Sequence, residues 1–425
     1  MLLSLLLSLS PLAAVPAMLL SLLLSLSPLA AVTGRHLEID VHSAYSRYGE
    51  YYANVSIGNP PATFRFQIDT GSSDFGVPQV GCVSCGRHAD TRYHPEKSAA
   101  EVNCTHGDEM GYTCHPCHGG QCAYSISYAD NSGYSANVWL DDVTWSSRDG
   151  ASVLVPNTPI GGIYLDHRRN PMQPHFVDGI IGLAYRSIAN SGAPTPMERL
   201  MAENDDLDDV FALCLNSKLS GREIGGKMVI GSPEARDRFY SSNKHIQWTP
   251  ILEETYYPVE MTAMKVGGVA LDVKPAVYQR GGAIVDSGST TVTLPSTAFN
   301  KFRAAMLAQC EKGASLLVGV CVDEQGAKIS SSDSMLSGNC FSLTNADIAA
   351  FPELTVVVKG AELAMKPSIY LRPSLCDDHS QVTLGFDSGA VTEGTILGDV
   401  FMEHFYTIFD RKNRRVGFGS ADQFC

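Results

Sequence analysis

The chain has 425 residues, enough for two domains with a sizeable core, and a formal charge of −14 with a pI near 5.3. That acidic balance argues against nucleic acid or an anionic membrane surface as a partner. Charged residues make up only 18%, Gly and Pro number 38 and 22, and short β-type runs recur between turn signals, so the globular part reads as all-β, with a few short helices.

Residues 1–32 contain MLLSLLLSLSPLAAV twice, from Met1 and from Met18, joined by Pro16-Ala17. Each copy is apolar and ends in small residues, as a secretory signal does, although neither has a basic start. The run is long enough to span a bilayer, but Pro11, Pro16 and Pro28 break it. A cleaved signal is therefore expected, with no stable membrane span afterwards. Residues 33–47 read as a short polar lead-in, whose only Lys or Arg are Arg35 and Arg47. All 12 cysteines lie beyond the signal, and an even count behind a signal points to disulfides and the secretory pathway. Asn54 and Asn103 head Asn-X-Ser/Thr patterns and are candidate glycosylation sites.

Tyr51 to Ile57 alternates, Gly58-Asn59-Pro60-Pro61 turns, and Thr63 to Ile68 returns to Asp69, which predicts a hairpin feeding a central strand. Cys82 to Cys122 is a cysteine-rich stretch with little apolar periodicity. Its Cys82-x-x-Cys85 and Cys114-x-x-Cys117 spacings, with His88, His94, His106, His115 and His118 nearby, imitate zinc-ligand spacing. Behind a signal, and with Cys104 and Cys122 completing an even set, disulfides are expected there and no metal; which pairs form is left open. Tyr128-Ala129-Asp130-Asn131-Ser132-Gly133 is a turn between strand-like runs, a hairpin tip within residues 125–143. Thr195-Pro196-Met197-Glu198 has helix-start chemistry, with a Thr cap, Pro in first position and Glu three residues after the cap. Asp205-Asp206-Leu207-Asp208-Asp209 reads as a solvated acidic surface, lacking the alternation and central Gly of a calcium loop. The second half begins near Trp248, with a helix expected over Ser296 to Gln309 and strands through Thr355 to Val358 and Val416 to Phe418.

One pattern runs across both halves. Phe66-Gln67-Ile68-Asp69-Thr70-Gly71-Ser72-Ser73 and Ala283-Ile284-Val285-Asp286-Ser287-Gly288-Ser289-Thr290 are each an apolar strand entering Asp-(Thr/Ser)-Gly-Ser. Each has an echo: Asp178-Gly179-Ile180-Ile181-Gly182-Leu183 after the first, Thr395-Ile396-Leu397-Gly398-Asp399 after the second. The separations from Asp to the second Gly are 113 and 112 residues. A diverged repeat of this kind implies two similar halves, each presenting one carboxylate on a tight turn, and a two-fold relation would bring Asp69 and Asp286 face to face. Two such carboxylates in a desolvated cleft cannot both ionise readily, so they share one proton. One then activates a water while the other donates to a substrate carbonyl. Gly71 and Gly288 admit close backbone N–H groups, Ser72 and Ser289 can orient the carboxylates, and Thr70 and Ser287 can brace the two turns.

With these motifs in order, and with Ile-Gly-Asn-Pro-Pro before the first and Phe409-Asp410…Arg415-Val416-Gly417-Phe418 after the last, the chain resembles the pepsin-family aspartic endopeptidases from about Tyr51 to Phe418. The resemblance implies a bilobal β fold with pseudo-two-fold symmetry, an N-terminal lobe over 48–235 and a C-terminal lobe over 236–425. It implies Asp69 and Asp286 as the catalytic pair and Tyr128, with Asp130, on a flap over the substrate. The reaction is hydrolysis of an extended polypeptide at acidic pH by an activated water, with no cofactor, in a monomer. The cysteine-rich insert, Tyr93-His94-Pro95 and Phe211-Ala212-Leu213-Cys214-Leu215 resemble the nepenthesin-like branch. That branch implies Cys214–Cys425, then Cys340–Cys376, leaving Cys310 and Cys321 as a third pair; with the signal ahead of it, a secreted or vacuolar/lysosomal enzyme is expected. Three departures stand out. Gly76 occupies the place where the family carries a Trp whose indole meets the flap tyrosine, so the Tyr128 hydroxyl is expected to lack that partner. Asn131 replaces a flap Gly, which its tolerance of the left-handed region allows. No inhibitory prosegment is expected between signal and enzyme. The competing readings are a catalytically silent binding protein on the same fold and a processing protease of narrow specificity.

Overall fold

The hairpin ahead of Asp69 pairs Tyr51–Ile57 with Ala62–Asp69, in register from Tyr52 opposite Gln67 to Ile57 opposite Ala62. The computed structural model describes residues 35–43, 49–86, 88, 91–167, 177–216, 225–231, 246–279, 282–312, 317–378, 380–388 and 394–421. Alternation in Ala62–Asp69 turns Phe64, Phe66 and Ile68 into the core, each at most 1% exposed. Burial of side chains this size is worth about 1.5–3 kcal/mol each, so the strand that ends in Asp69 is anchored along its length.

The sequence repeat has a structural meaning. Each echo segment is a parallel strand beside the strand carrying the Asp: Gly179–Gly182 beside Ala62–Asp69, with Gly182 level with Asp69, and Thr395–Leu397 beside Ala283–Val285, with Leu397 level with Val285. Leu183 N–H donates to the Asp69 carbonyl at 2.8 Å, and Asp286 N–H to the Leu397 carbonyl at 3.1 Å. The second Gly of each echo packs on the Asp turn, Gly182 against Ser73 and Gly398 against Ser289, where a Cβ would overlap backbone atoms.

Strands of the two halves share one sheet. Val210–Leu215 pairs with Phe405–Asp410, Phe211 opposite Phe409, and Arg415–Ser420 continues to Gln247–Pro250. On the other side Val210–Leu215 pairs with Gly226–Gly231, which pairs with His36–Ser43. This last strand corrects the expectation of a polar lead-in. Leu37, Ile39 and Val41 alternate inward at 0–3% exposed, a period-2 signal short enough to be hidden among His, Glu and Asp. The acidic run is also less solvated than expected: Asp208 pairs with Lys412 at 2.7 Å and Asp209 with buried Arg411 at 3.0 Å, tying it to the second half.

The helix at Pro196–Ala202 starts on a capping box between Thr195 and Glu198. The helix expected through Gln309 ends at Leu307; a short helix, Gln309–Lys312, follows, and Cys310 is joined to Cys321. Residues 1–32 and the expected lobe boundary at 235/236 lie outside the described residues, as does Cys425, the partner expected for Cys214. No helix among the described residues is long and apolar enough to cross a membrane.

The cysteine-rich insert has a core of its own. It forms three disulfides, Cys82–Cys85, Cys104–Cys117 and Cys114–Cys122. Cys85, Cys114, Cys122 and Val102 then pack with Tyr124, Ile126, Tyr134 and Ile163, side chains of the tip-bearing hairpin and its neighbour. Cysteines rather than an apolar stripe supply this packing, which periodicity does not register. In the second half Cys340 is joined to Cys376. Asn54 and Asn103 are both exposed; the Asn103 side chain accepts from the His106 N–H at 2.8 Å, capping the helix Cys104–Glu109.

Candidate active site

The two Asp turns meet and brace each other through their second residues. Thr70 Oγ1 donates to the Val285 carbonyl at 2.9 Å and accepts from Ser287 N–H at 2.9 Å. Ser287 Oγ donates to the Ile68 carbonyl at 2.8 Å and accepts from Thr70 N–H at 3.2 Å. Both side chains are buried, at 0% and 1% exposed. Each of the four bonds crosses between halves, so the relative position of the turns is set by a closed, fully satisfied network.

The carboxylates sit symmetrically above this brace. Asp69 Oδ1 accepts from Gly71 N–H at 2.7 Å and its Oδ2 from the Ser72 hydroxyl. Asp286 Oδ1 accepts from Gly288 N–H at 2.8 Å and its Oδ2 from the Ser289 hydroxyl at 2.6 Å. The glycines serve the opposite carboxylate as well. A Cβ on Gly71 would run into the Asp286 carboxylate, and a Cβ on Gly288 into that of Asp69. Each carboxylate therefore rests on the other turn, and any side chain at either Gly would drive them apart. Asp69 and Asp286 are 6% and 7% exposed. Burial, and then the charge of Asp286, push the Asp69 carboxyl up to about 7, against the pull of Ser72 and Gly71.

The hairpin Gln121–Ser127/Gly133–Ser146 carries Tyr128 at its tip, close enough to the pair for its phenol to feel the charge of Asp69. Tyr128 N–H donates to the Ser132 carbonyl at 2.9 Å and Asn131 sits at φ 66°, as its left-handed tolerance allows. The Asp130 carboxylate is engaged in the turn, accepting from both Ser132 N–H at 2.9 Å and the Ser132 hydroxyl at 2.7 Å. The Tyr128 phenol is held neutral: burial first, then the neighbouring Tyr134 and the charge of Asp69, raise its pKa. Its hydroxyl is buried against that of Tyr134, without a well-formed hydrogen bond among the described residues.

Two residues near the site escape a reading of the sequence. Asp399, from the second echo, is 1% exposed, and neither of its carboxylate oxygens has a hydrogen-bond partner among the described residues. Burial, then the charges of Glu403, Asp286 and Asp69, raise its pKa well above the ordinary value. Its place in the repeat was a signal; its lack of partners was not. Tyr134, on the returning strand of the hairpin, lies over Gly76, and nothing in the local sequence points it there.

A family model described as eukaryotic aspartyl protease matches residues 50–421. Similar proteins include gastricsin from Callithrix jacchus, 28% identical over 376 residues, covering 87% of this chain and 81% of that protein. Pepsin B from Canis lupus familiaris is 26% identical over 375 residues, covering 87% and 80%. Pepsin-2B from Gadus morhua is 28% identical over 378 residues, covering 88% and 96%. With a family match over most of its length and a mainly β fold of the pepsin-like bilobal type, the chain belongs to the eukaryotic aspartyl proteases and is an aspartic endopeptidase.

Proposed function

We propose that Asp69 and Asp286 are the catalytic pair, hydrolysing extended polypeptides at acidic pH beneath the Tyr128 hairpin. The observation that carries this is the reciprocal seating of each carboxylate on the other turn's glycine, with the Asp69 carboxyl raised to about 7 by burial and by Asp286. A pair in that state keeps one proton through the acidic range; aspartic proteases are the reference case of such sharing. The ionised member takes a proton from water as the water oxygen bonds to the substrate carbonyl carbon, and the protonated member donates to the carbonyl oxygen. Collapse of the resulting tetrahedral diol breaks the C–N bond as the nitrogen takes the proton that the first carboxyl gained from water, while a diol hydroxyl gives its proton to the other carboxylate and the shared-proton pair is restored. Gly71 and Gly288 N–H with Ser72 and Ser289 hydroxyls hold the carboxylates in place throughout.

The finer reading is a member of the nepenthesin-like branch, a monomer routed through the secretory pathway to the exterior or to a vacuolar/lysosomal compartment. Five disulfides among the described residues support an oxidising route, and the insert between Asp69 and the hairpin supports the branch. The test is cleavage of a denatured protein between about pH 3 and pH 7, with and without a pepstatin-type transition-state mimic. Wild-type cleavage that the mimic blocks and that Asp286→Asn abolishes is the expected result. No cleavage by the wild type at any of these pH values would instead favour a silent binding protein.

A further inference from the structure

The tip-bearing hairpin is seated on two glycines that stand side by side. Gly76 on Phe75–Val83 and Gly161 on Ser152–Asp166 are register partners in adjacent parallel strands. Each takes the hydroxyl end of a tyrosine from the hairpin. A Cβ on Gly76 would lie 2.5 Å from Tyr134 Oη, and one on Gly161 would overlap Tyr124 Oη. The two hydroxyls are 3.5 Å apart, and the rings of Tyr124 and Tyr134 meet edge to face at 6.0 Å. Tyr134 also faces Tyr128, ring centroids 6.2 Å apart. Tyr124 and Tyr134 are 2% and 5% exposed, so the region over Gly76 is filled by the Tyr134 side chain.

We propose that Tyr134 is the positioning residue of the hairpin: on closure over substrate its hydroxyl hydrogen-bonds the Tyr128 hydroxyl. Three observations converge on this. The Tyr128 hydroxyl is buried and already feels the Tyr134 hydroxyl, yet the contact falls short of a well-formed hydrogen bond among the described residues, which a closed state has to remedy. The nearby phenol of Tyr134 carries a hydroxyl able both to donate and to accept. The floor beneath Tyr134 is a glycine, so no other side chain competes for that place. Gly76 and Tyr134 thus form a matched pair in which the small residue makes room for the large one. The partner that Gly76 cannot supply comes from the strand following the tip, so it moves with the hairpin instead of staying behind on the sheet. Substrate closure then orders tip and support together.

This inference rests on the proposed catalytic role of the Asp pair and the hairpin, and the experiment separates the two. Steady-state cleavage of a peptide spanning the cleft is measured for wild type, Tyr134→Phe, Gly76→Trp, Tyr134→Ala and the double variant Gly76→Trp/Tyr134→Ala, with Asp286→Asn as the inactive control. Tyr134→Phe keeps the ring and the packing, so its expected loss is that of one hydrogen bond, about three- to tenfold. The loss falls on kcat, because the bond forms on closure. Gly76→Trp alone drives its side chain into Tyr134 and should lose more than either Tyr134 variant, whereas the double variant should recover at least tenfold relative to Gly76→Trp. Hydrogen exchange at the amides of residues 124–134, with the pepstatin-type mimic bound, supplies a readout independent of turnover: Tyr134→Phe should exchange faster than wild type. Wild-type kcat and exchange in Tyr134→Phe, or a double variant no better than Gly76→Trp, would overturn the assignment. If the wild type proves inactive, the catalytic reading fails, and the exchange comparison still decides the role of Tyr134.

Discussion

Replacing Asp399 by Asn should make the protein more stable as pH rises toward neutrality. Asp399 lies against the active site at 1% exposure with both oxygens unpartnered among the described residues. The cation near it, Arg372, is already engaged by Glu403 through two bonds of 2.6 and 2.9 Å, and Glu403 also accepts from the Tyr51 hydroxyl at 2.7 Å. The folded protein therefore holds Asp399 protonated, in line with the rise in its pKa from burial and from Glu403. A carboxyl with a raised folded pKa contributes stability that is complete below the unfolded value and is lost as pH climbs toward the folded value. The loss runs at about 1.4 kcal/mol per pH unit above the ordinary carboxylate range. Asn, close in size and neutral at every pH, escapes this loss, so its advantage should grow from about pH 5 toward neutrality, at up to about 1.4 kcal/mol per unit. The assay is urea unfolding followed by tryptophan fluorescence across that interval. Both proteins would carry Asp69→Asn to prevent self-digestion; Asp69 is the smallest of the named influences on Asp399. Parallel pH curves, or an Asn variant that is weaker near neutrality, would refute the reasoning and imply an ionised Asp399 paired with Arg372.

The remaining predictions concern the same region. Asp69→Asn should abolish cleavage yet stabilise the fold near neutral pH, by up to about 4 kcal/mol, because the raised Asp69 carboxyl loses its stabilising contribution between 3.8 and about 7; unfolding of the variant across that range checks it. Thr70→Val removes a hydroxyl that serves the Val285 carbonyl and Ser287 N–H. Leaving both buried groups unpaired should cost about 2–4 kcal/mol, with a fall in kcat as the turns lose their mutual register. Arg372→Met strands Glu403 inside the protein and should cost about 3–5 kcal/mol; Arg372→Met with Glu403→Gln should recover part of that, measured by urea midpoints.

The strands, the Asp turns and the repeat were legible because they are local signals. Alternation in Tyr51 to Ile57 and Thr63 to Ile68, the Thr195 capping box, and two Asp-(Thr/Ser)-Gly-Ser turns with matching echoes each follow from the chemistry of a few adjacent residues. His36–Ser43 was misread because its alternation is short and carried between charged residues, and only its pairing with Gly226–Gly231 reveals it as a strand. The core of the insert was missed for a different reason: disulfides and a facing hairpin supply its packing, and neither follows a period along the chain.

Residue identity alone determined which chemistry this protein carries: two carboxylates on glycine turns, with hydroxyls beside them, spaced so that two halves repeat. Tertiary structure decided what surrounds that chemistry. It paired Asp69 with the glycine of the second turn and Asp286 with that of the first, left Asp399 buried with no hydrogen-bond partner among the described residues, and brought Tyr134 onto Gly76. None of these follows from adjacency in sequence, because each depends on which side chain enters a space that folding opens between distant strands. The absent tryptophan shows this plainly. Sequence marks the gap at Gly76, and only the packed hairpin says what fills it.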